Sequence, residues 1–145
     1  MTNDDPHDLN RFINAQEGVY ERALAELKSG QKRSHWMWFI FPQVEGLGQS
    51  PTSQYFAIKS VAEARAYLAH PLLGARLRES AEAVLALKGR SASEVFGFPD
   101  DLKFRSCMTL FAEIAGADSI FAYVLQKVFN DQRDRQTLEF LTRGR

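Results

Sequence analysis

The chain holds a single cysteine, Cys107, so no internal disulfide can staple it. No C-x-x-C pair or mixed Cys/His ligand spacing occurs, which argues against structural zinc or any other metal. Net charge is missing as well: eighteen basic and eighteen acidic residues cancel over 145 positions. Duplex DNA binding draws much of its affinity from neutralised phosphates, so no duplex nucleic-acid partner is expected. Long apolar runs are absent. The longest, Trp36 to Phe41, is far below the ~20 residues that cross a bilayer. The opening stretch is acidic and polar, unlike a secretory leader. Together these absences predict a cytoplasmic protein with no membrane partner, no metal and no cofactor.

What is present suits a packed core. Hydrophobic residues make up 45% and charged residues 25%, too apolar for an intrinsically disordered chain. The apolar spacing is helical nearly throughout. Leu9, Phe12, Ile13, Gln16, Tyr20, Ala23, Leu24 and Leu27 form one stripe, with Asp5 before Pro6 as its start and Gly30 as its stop. Ser60 with Glu63, and Ser91 with Glu94, read as capping boxes. Leu73, Leu77, Ala81, Val84 and Leu85 form a further stripe running to Gly89. Asp100 or Asp101, then Asp118 or Ser119, then Asp134 begin the later helices. The expected fold is all-α: one compact multihelical domain over residues 1–145, with about six or seven helices. Tyr55 to Ile58 could form one short extended segment, and residues 1–5 read as a flexible tail.

Chemistry concentrates in two places. The first is Lys32 to Gln43, where Lys32, Arg33, Ser34 and His35 precede Trp36, Met37, Trp38, Phe39, Ile40 and Phe41. Two cations beside a hydroxyl at a helix start suit phosphate or carboxylate. The tryptophans could stack a ring, or they could be core. Ser34 would cap a short helix and Pro42 end it. His35, between cations and an apolar block, is expected to stay neutral near pH 7 and to serve as a base or donor. Beyond Gln43 the glycine-, serine- and proline-rich stretch to Ser53 reads as a long loop of the kind that often carries function.

The second place is the helix after Pro99. Asp101, Arg105, Thr109 and Glu113 recur every fourth residue and stack on one face, flanked by Lys103 and Ser106. Their neighbours Leu102, Phe104, Met108, Leu110, Phe111 and Ile114 are apolar. A helix apolar on most sides sits centrally, so its polar line faces either solvent or a cavity. Gln16 poses a similar choice: a buried amide is locked to backbone or turned towards a ligand.

These residues carry a resemblance. Arg11-Phe12, Ala15-Gln16, the whole of Lys32 to Gln43, and Gly46-Leu47-Gly48 are similar to a bacterial and fungal family of unknown function numbered 1810. The likeness continues through Glu63-Ala64, Tyr67-Leu68, His70-Pro71, Gly74 and Arg76-Leu77. It ends with Phe96-Gly97, Asp101-Leu102-Lys103, Arg105-Ser106, Thr109-Leu110-Phe111, and Asp134 with Thr137-Leu138. One departure is Asp131, where the family pattern often has glycine. The resemblance implies a compact, mostly helical domain and no established activity. The name calpastatin sometimes attached to the family does not suit this chain, because an inhibitor of that type is disordered while this composition demands a core.

Two functions remain open. The first is a small anionic or phosphate-bearing ligand bound between the Lys32–Gln43 segment and the Asp101–Glu113 helix, with room for hydrolase or transferase chemistry. Gln16, Lys32, Arg33, Trp36, Trp38, Gln43, Lys103, Arg105, Ser106 and Thr109 would bind it; His35 and Asp101 would move protons. The alternative is a non-catalytic interaction module with a structural aromatic core. Convergence of these side chains on one cleft discriminates between them.

Overall fold

The computed structural model describes residues 5–143. Residues 1–4 of the expected tail lie outside the described residues. Among the described residues ten helices follow one another: α1 Asn10–Gln16, α2 Tyr20–Ser29, α3 Met37–Ile40, α4 Pro51–Tyr55, α5 Val61–Ala69, α6 Leu73–Leu85, α7 Ala92–Phe96, α8 Asp100–Ala115, α9 Ile120–Phe129 and α10 Arg135–Arg143. The all-helical reading holds, and no strand occurs among the described residues. Of the expected extended Tyr55–Ile58, Tyr55 instead ends α4, and Ile58 forms an isolated parallel bridge with Val44. None of the described helices is long and apolar enough to cross a membrane.

More helices form than the apolar stripes suggested, for local reasons. The first stripe breaks at Gly18, whose φ of +74° is left-handed, so α1 and α2 are separate rods. The break does not change which residues face inward: Phe12, Gln16, Tyr20, Ala23 and Leu27 are all buried. Part of the expected Gln43–Ser53 loop is also helical. Ser50 caps α4 by accepting the Ser53 N–H, and Pro51 occupies its first turn.

Serine side chains cap α4, α5, α7 and α9, whereas α8 follows Pro99 without a side-chain cap from the expected Asp100 or Asp101. Ser91 and Glu94 complete a capping box, Ser119 accepts the Ala122 N–H, and Asp134 accepts the Thr137 N–H. Ser60 accepts the Glu63 N–H, but the Glu63 carboxylate turns to the Lys59 N–H instead, so that box is only half made. Asp5 carboxylate oxygens accept the Leu9 and Asn10 N–H groups at the start of α1. Asp131 has φ +60°, the left-handed region in which glycine costs least. The departure from the family pattern therefore falls where the backbone favours the glycine it lacks.

Helix α8 is the centre. It packs against α3, α5, α7, α9 and α10. Phe104, Cys107, Met108, Leu110 and Phe111 on it are fully enclosed. Aromatic edges knit this core: Phe41 meets Phe104 edge-on at 4.8 Å, and Phe96 stacks on Phe104 at 4.5 Å. Burial raises the pKa of the Cys107 thiol well above its usual range, consistent with an inert core residue. Helices α5 and α6 approach closely at Gly74, where a Cβ would lie 2.1 Å from the Leu68 carbonyl oxygen.

One buried ion pair holds the back of the Gln43–Lys59 segment. Arg11 Nε donates to the Tyr55 carbonyl at 2.9 Å and Nη2 to the Ala57 carbonyl at 3.0 Å; Nη2 also meets the Glu63 carboxylate. Nη1 donates to the His7 and Asp8 carbonyls. Both side chains are 4% exposed, so either charge left alone would be stranded. Arg11→Met is expected to cost about 3–5 kcal/mol in urea unfolding, and Arg11→Met/Glu63→Leu to recover part of it. A loss below about 1 kcal/mol in the single variant would show that the pair does not anchor the segment.

Candidate functional site

The glutamate at position 26 decides what the basic stretch before the tryptophans can do. Helix α2 ends at Gly30, left-handed at φ +85°, and the chain doubles back over its last turn. The Glu26 carboxylate then receives the Arg33 N–H at 2.7 Å, the Ser34 N–H at 3.1 Å and the Ser34 hydroxyl at 2.6 Å. The Trp36 indole N–H completes the set at 2.9 Å. Burial alone would raise the pKa of this carboxyl. The donors outweigh it and hold the value at about 2, against an ordinary 4.5. The segment expected to bind an anion does hold one, and it is the chain's own side chain.

The cations there are similarly engaged. Lys32 Nζ lies 2.9 Å from Asp100 Oδ2 and 5.1 Å from the centre of the Trp36 ring. Lys103 Nζ lies 3.3 Å from Asp100 Oδ1 and 5.3 Å from the Trp38 ring. Asp100, at the start of α8, thus ties both lysines and both tryptophans together. The two indoles differ in fate: Trp36 is fully buried, whereas Trp38 keeps part of its face open.

That open face borders a cleft of ≈ 590 Å³. Its first wall is Trp38, Gln43 and the Leu47–Ser50 turn with Ser53. Its second is α8 with Pro99 before it, presenting Leu102, Lys103, Arg105 and Ser106; Asp134 and Gln136 close it at the start of α10. The volume lies in the range of small-molecule sites. Thr109 fixes the α8–α10 junction from beneath. Its hydroxyl donates to the Arg105 carbonyl at 2.8 Å and accepts the Asp134 N–H at 3.0 Å.

Five predicted residues therefore meet at one cleft: Trp38, Gln43, Lys103, Arg105 and Ser106. The others do not line it. Gln16 is locked inside, donating to the Phe39 carbonyl at 2.7 Å and the Tyr67 hydroxyl at 3.3 Å and accepting from Arg76 Nη1. Lys32 is bound to Asp100, Trp36 to Glu26, and Thr109 is wholly buried. Arg33 is exposed outside the cleft. His35 is exposed too, so the burial expected to keep it neutral is absent. Asp101 accepts the Leu102 N–H at 2.9 Å and does not reach the cleft. Ser34 gives its hydroxyl proton to Glu26 rather than capping α3, whose flanking residue is Trp36.

Sequence reasoning missed Asp134 and Gln136 as wall residues, and it missed Glu26 and Asp100 as partners. Only the loop character of Gln43–Ser53 pointed at Gly48, Gln49, Ser50 and Ser53. Among the described residues no group of three His, Cys, Asp or Glu side chains could hold a metal ion.

Arg105 stands apart. Ser106 gives its hydroxyl proton to the Leu102 carbonyl, Asp100 is paired, and Glu113 pairs with Arg133. Arg105 has no ion-pair or hydrogen-bond partner for its guanidinium among the described residues, and its Nε is buried without an acceptor. A buried donor without an acceptor forfeits its hydration, a cost of about 1–3 kcal/mol.

Comparisons with known proteins agree with the fold. The family described as "Protein of unknown function (DUF1810)" matches residues 6–141. The crystal structure of the conserved hypothetical protein Rv1873 from Mycobacterium tuberculosis is similar, with a TM-score of 0.93 and 49% identity over 95% of this chain and 99% of that one. No curated protein matches the chain.

Glu26 generates a pH prediction. Because its folded pKa is depressed, its stabilisation is present above the ordinary value of 4.5 and is lost as pH falls towards about 2. Glu26→Gln should be less stable than wild type at pH 7, with the gap narrowing between pH 4.5 and 2. Urea midpoints across that window measure it, and a gap constant with pH would refute the assignment. The chain belongs to the DUF1810 family.

Proposed function

We propose that this member of the DUF1810 family binds a small anionic ligand in the cleft between Trp38–Ser53 and the Leu102–Ser106 turn of α8. The observation that carries this reading is the Arg105 guanidinium, which has no partner among the described residues and whose Nε is buried. Every other charged or hydroxyl side chain on α8 has a partner among the described residues, so a lone cation at a cleft wall is a local conflict in an otherwise consistent helix. A phosphate or carboxylate would resolve it, because a guanidinium offers two parallel N–H donors to such a group. Lys103 supplies a second, half-neutralised cation, and Trp38 an aromatic surface on which a ring can rest.

Binding is the function assigned; a hydrolase or transferase step is not. His35 and Asp101, the proton-transfer candidates, lie outside the cleft. Asp134 is the carboxylate among the lining residues, and its Oδ2 already accepts the Thr137 N–H and hydroxyl. General acid–base catalysis needs a group within hydrogen-bond reach of the reacting atom, which leaves Asp134 as the residue to examine if turnover is found.

A second reading, a protein-interaction module, is favoured by one observation. Phe98 is 79% exposed and Leu102 40%, beside the same cleft. Large exposed aromatics mark contact surfaces when they cluster with other apolar groups. Phe98→Ala separates the two readings, since it should leave small-anion binding unchanged while weakening a protein contact.

Arg105→Met tests the primary reading. Removing an unsatisfied buried donor should leave the melting temperature unchanged or raise it. Thermal-shift titration with phosphates and carboxylates should stabilise wild type by about 2.7 kcal/mol at 100 times Kd, and the variant not at all. A variant destabilised by more than about 1 kcal/mol, with its ligand shift intact, would assign Arg105 a structural role instead.

A further inference from the structure

We infer that the cleft's ligand is a sugar carrying a single phosphate: a hydroxyl-rich ring with one anionic group. This deepens the reading above and rests on it, since it presumes that the cleft binds an anion at Arg105.

The charges limit the ligand to one anionic group. Three charged side chains line the cleft: Lys103, Arg105 and Asp134. Lys103 is ion-paired with Asp100, and Asp134 adds a negative charge of its own. Arg105 has no partner among the described residues. A single phosphate monoester, carrying about −1.5 to −2 at pH 7, is met by Arg105 together with the half-neutralised Lys103. A diphosphate or triphosphate would bring charges for which no further free cation lines the cleft, and they would face Asp134.

The neutral groups call for hydroxyls. Gln43, Gln49 and Gln136 line the cleft, and their side-chain amides make no hydrogen bond with the described residues. Each amide offers two donors and an acceptor. Vicinal hydroxyls, which donate and accept at once, can satisfy both ends of an amide; an apolar ring leaves them unmatched. Ser106 adds an acceptor, because its own proton is given to Leu102. Trp38 then provides a partly open aromatic face for the C–H surface of a sugar ring. Amides from the first wall and from the start of α10, one cation without a partner among the described residues and one indole describe a polar, stereochemically rich ligand rather than a greasy acid.

Four classes of probe separate the requirements in calorimetric titrations of the full chain. Pentose and hexose monophosphates carry both features, glucose only the hydroxyls, phenyl phosphate only the anion on an apolar ring, and nucleoside diphosphates an excess of charge. At least one sugar monophosphate should bind tenfold or more tightly than phenyl phosphate or inorganic phosphate, while glucose alone should not bind. Gln136→Leu and Gln43→Leu should each weaken the sugar phosphate about three- to tenfold and leave phenyl phosphate unchanged. Gln136 is exposed, so its variant tests the idea even if Gln43→Leu perturbs folding. Equal affinity for phenyl phosphate, equal effects of the glutamine variants on both probes, or preference for a nucleoside diphosphate would overturn this inference while leaving anion binding at Arg105 intact. Absence of binding by every anion would overturn both.

Discussion

Packing of α8 against five other helices is the constraint from which the rest of the molecule follows. A helix packed against five others turns much of itself inward, so the polar groups it buries need partners where they lie. Thr109 and Ser106 bond back to carbonyls one turn earlier, and Thr109 also takes the Asp134 N–H, which fixes where α10 begins. Asp100 collects two lysines and, through them, sets both tryptophans against the helix. The cleft is the gap left between α8, α10 and the Leu47–Ser50 turn with α4, and Arg105 is the α8 cation with no partner among the described residues.

The same rule explains why the most conspicuous stretch of the chain is largely structural. Consecutive N–H groups, a hydroxyl and an indole N–H arranged around one point make an anion site whatever the anion is. Here Glu26 supplies it from one helical turn before Gly30. Four donors on one carboxylate fix Trp36 as core, and the next tryptophan along is left at the edge. A motif suited to a ligand's phosphate thus serves to seat a side chain. The binding chemistry it suggested is proposed one step further along, at Trp38 and Gln43.

Periodicity and caps made the helices legible in the sequence, because both are local. Gly30, Ser91, Ser119 and Asp134 act as their residue types predict. The convergence of Trp38, Gln43, Lys103, Arg105 and Ser106 was legible too, since an apolar helix with one polar stripe invites a cavity. What could not be read was pairing over distance. Nothing in the spacing says that Lys32 would meet Asp100, that Gln16 would meet the Phe39 carbonyl, or that Arg11 and Glu63 would share a buried bond. Each of those pairings decides whether a polar residue is free for a ligand, so the list of candidate site residues was longer than the site.

Arg105 is proposed to keep its guanidinium for a ligand. Its Nε–H proton reports on this directly, because a donor without an acceptor resonates differently from one bonded to a phosphate. In nitrogen–proton correlation spectra, with the signal assigned from Arg105→Lys, titration with a sugar monophosphate should move the Arg105 Nε–H and Trp38 indole resonances along one binding curve. The Trp36 indole, held by Glu26, should stay in place. Binding that leaves the Arg105 signal unmoved would contradict the account.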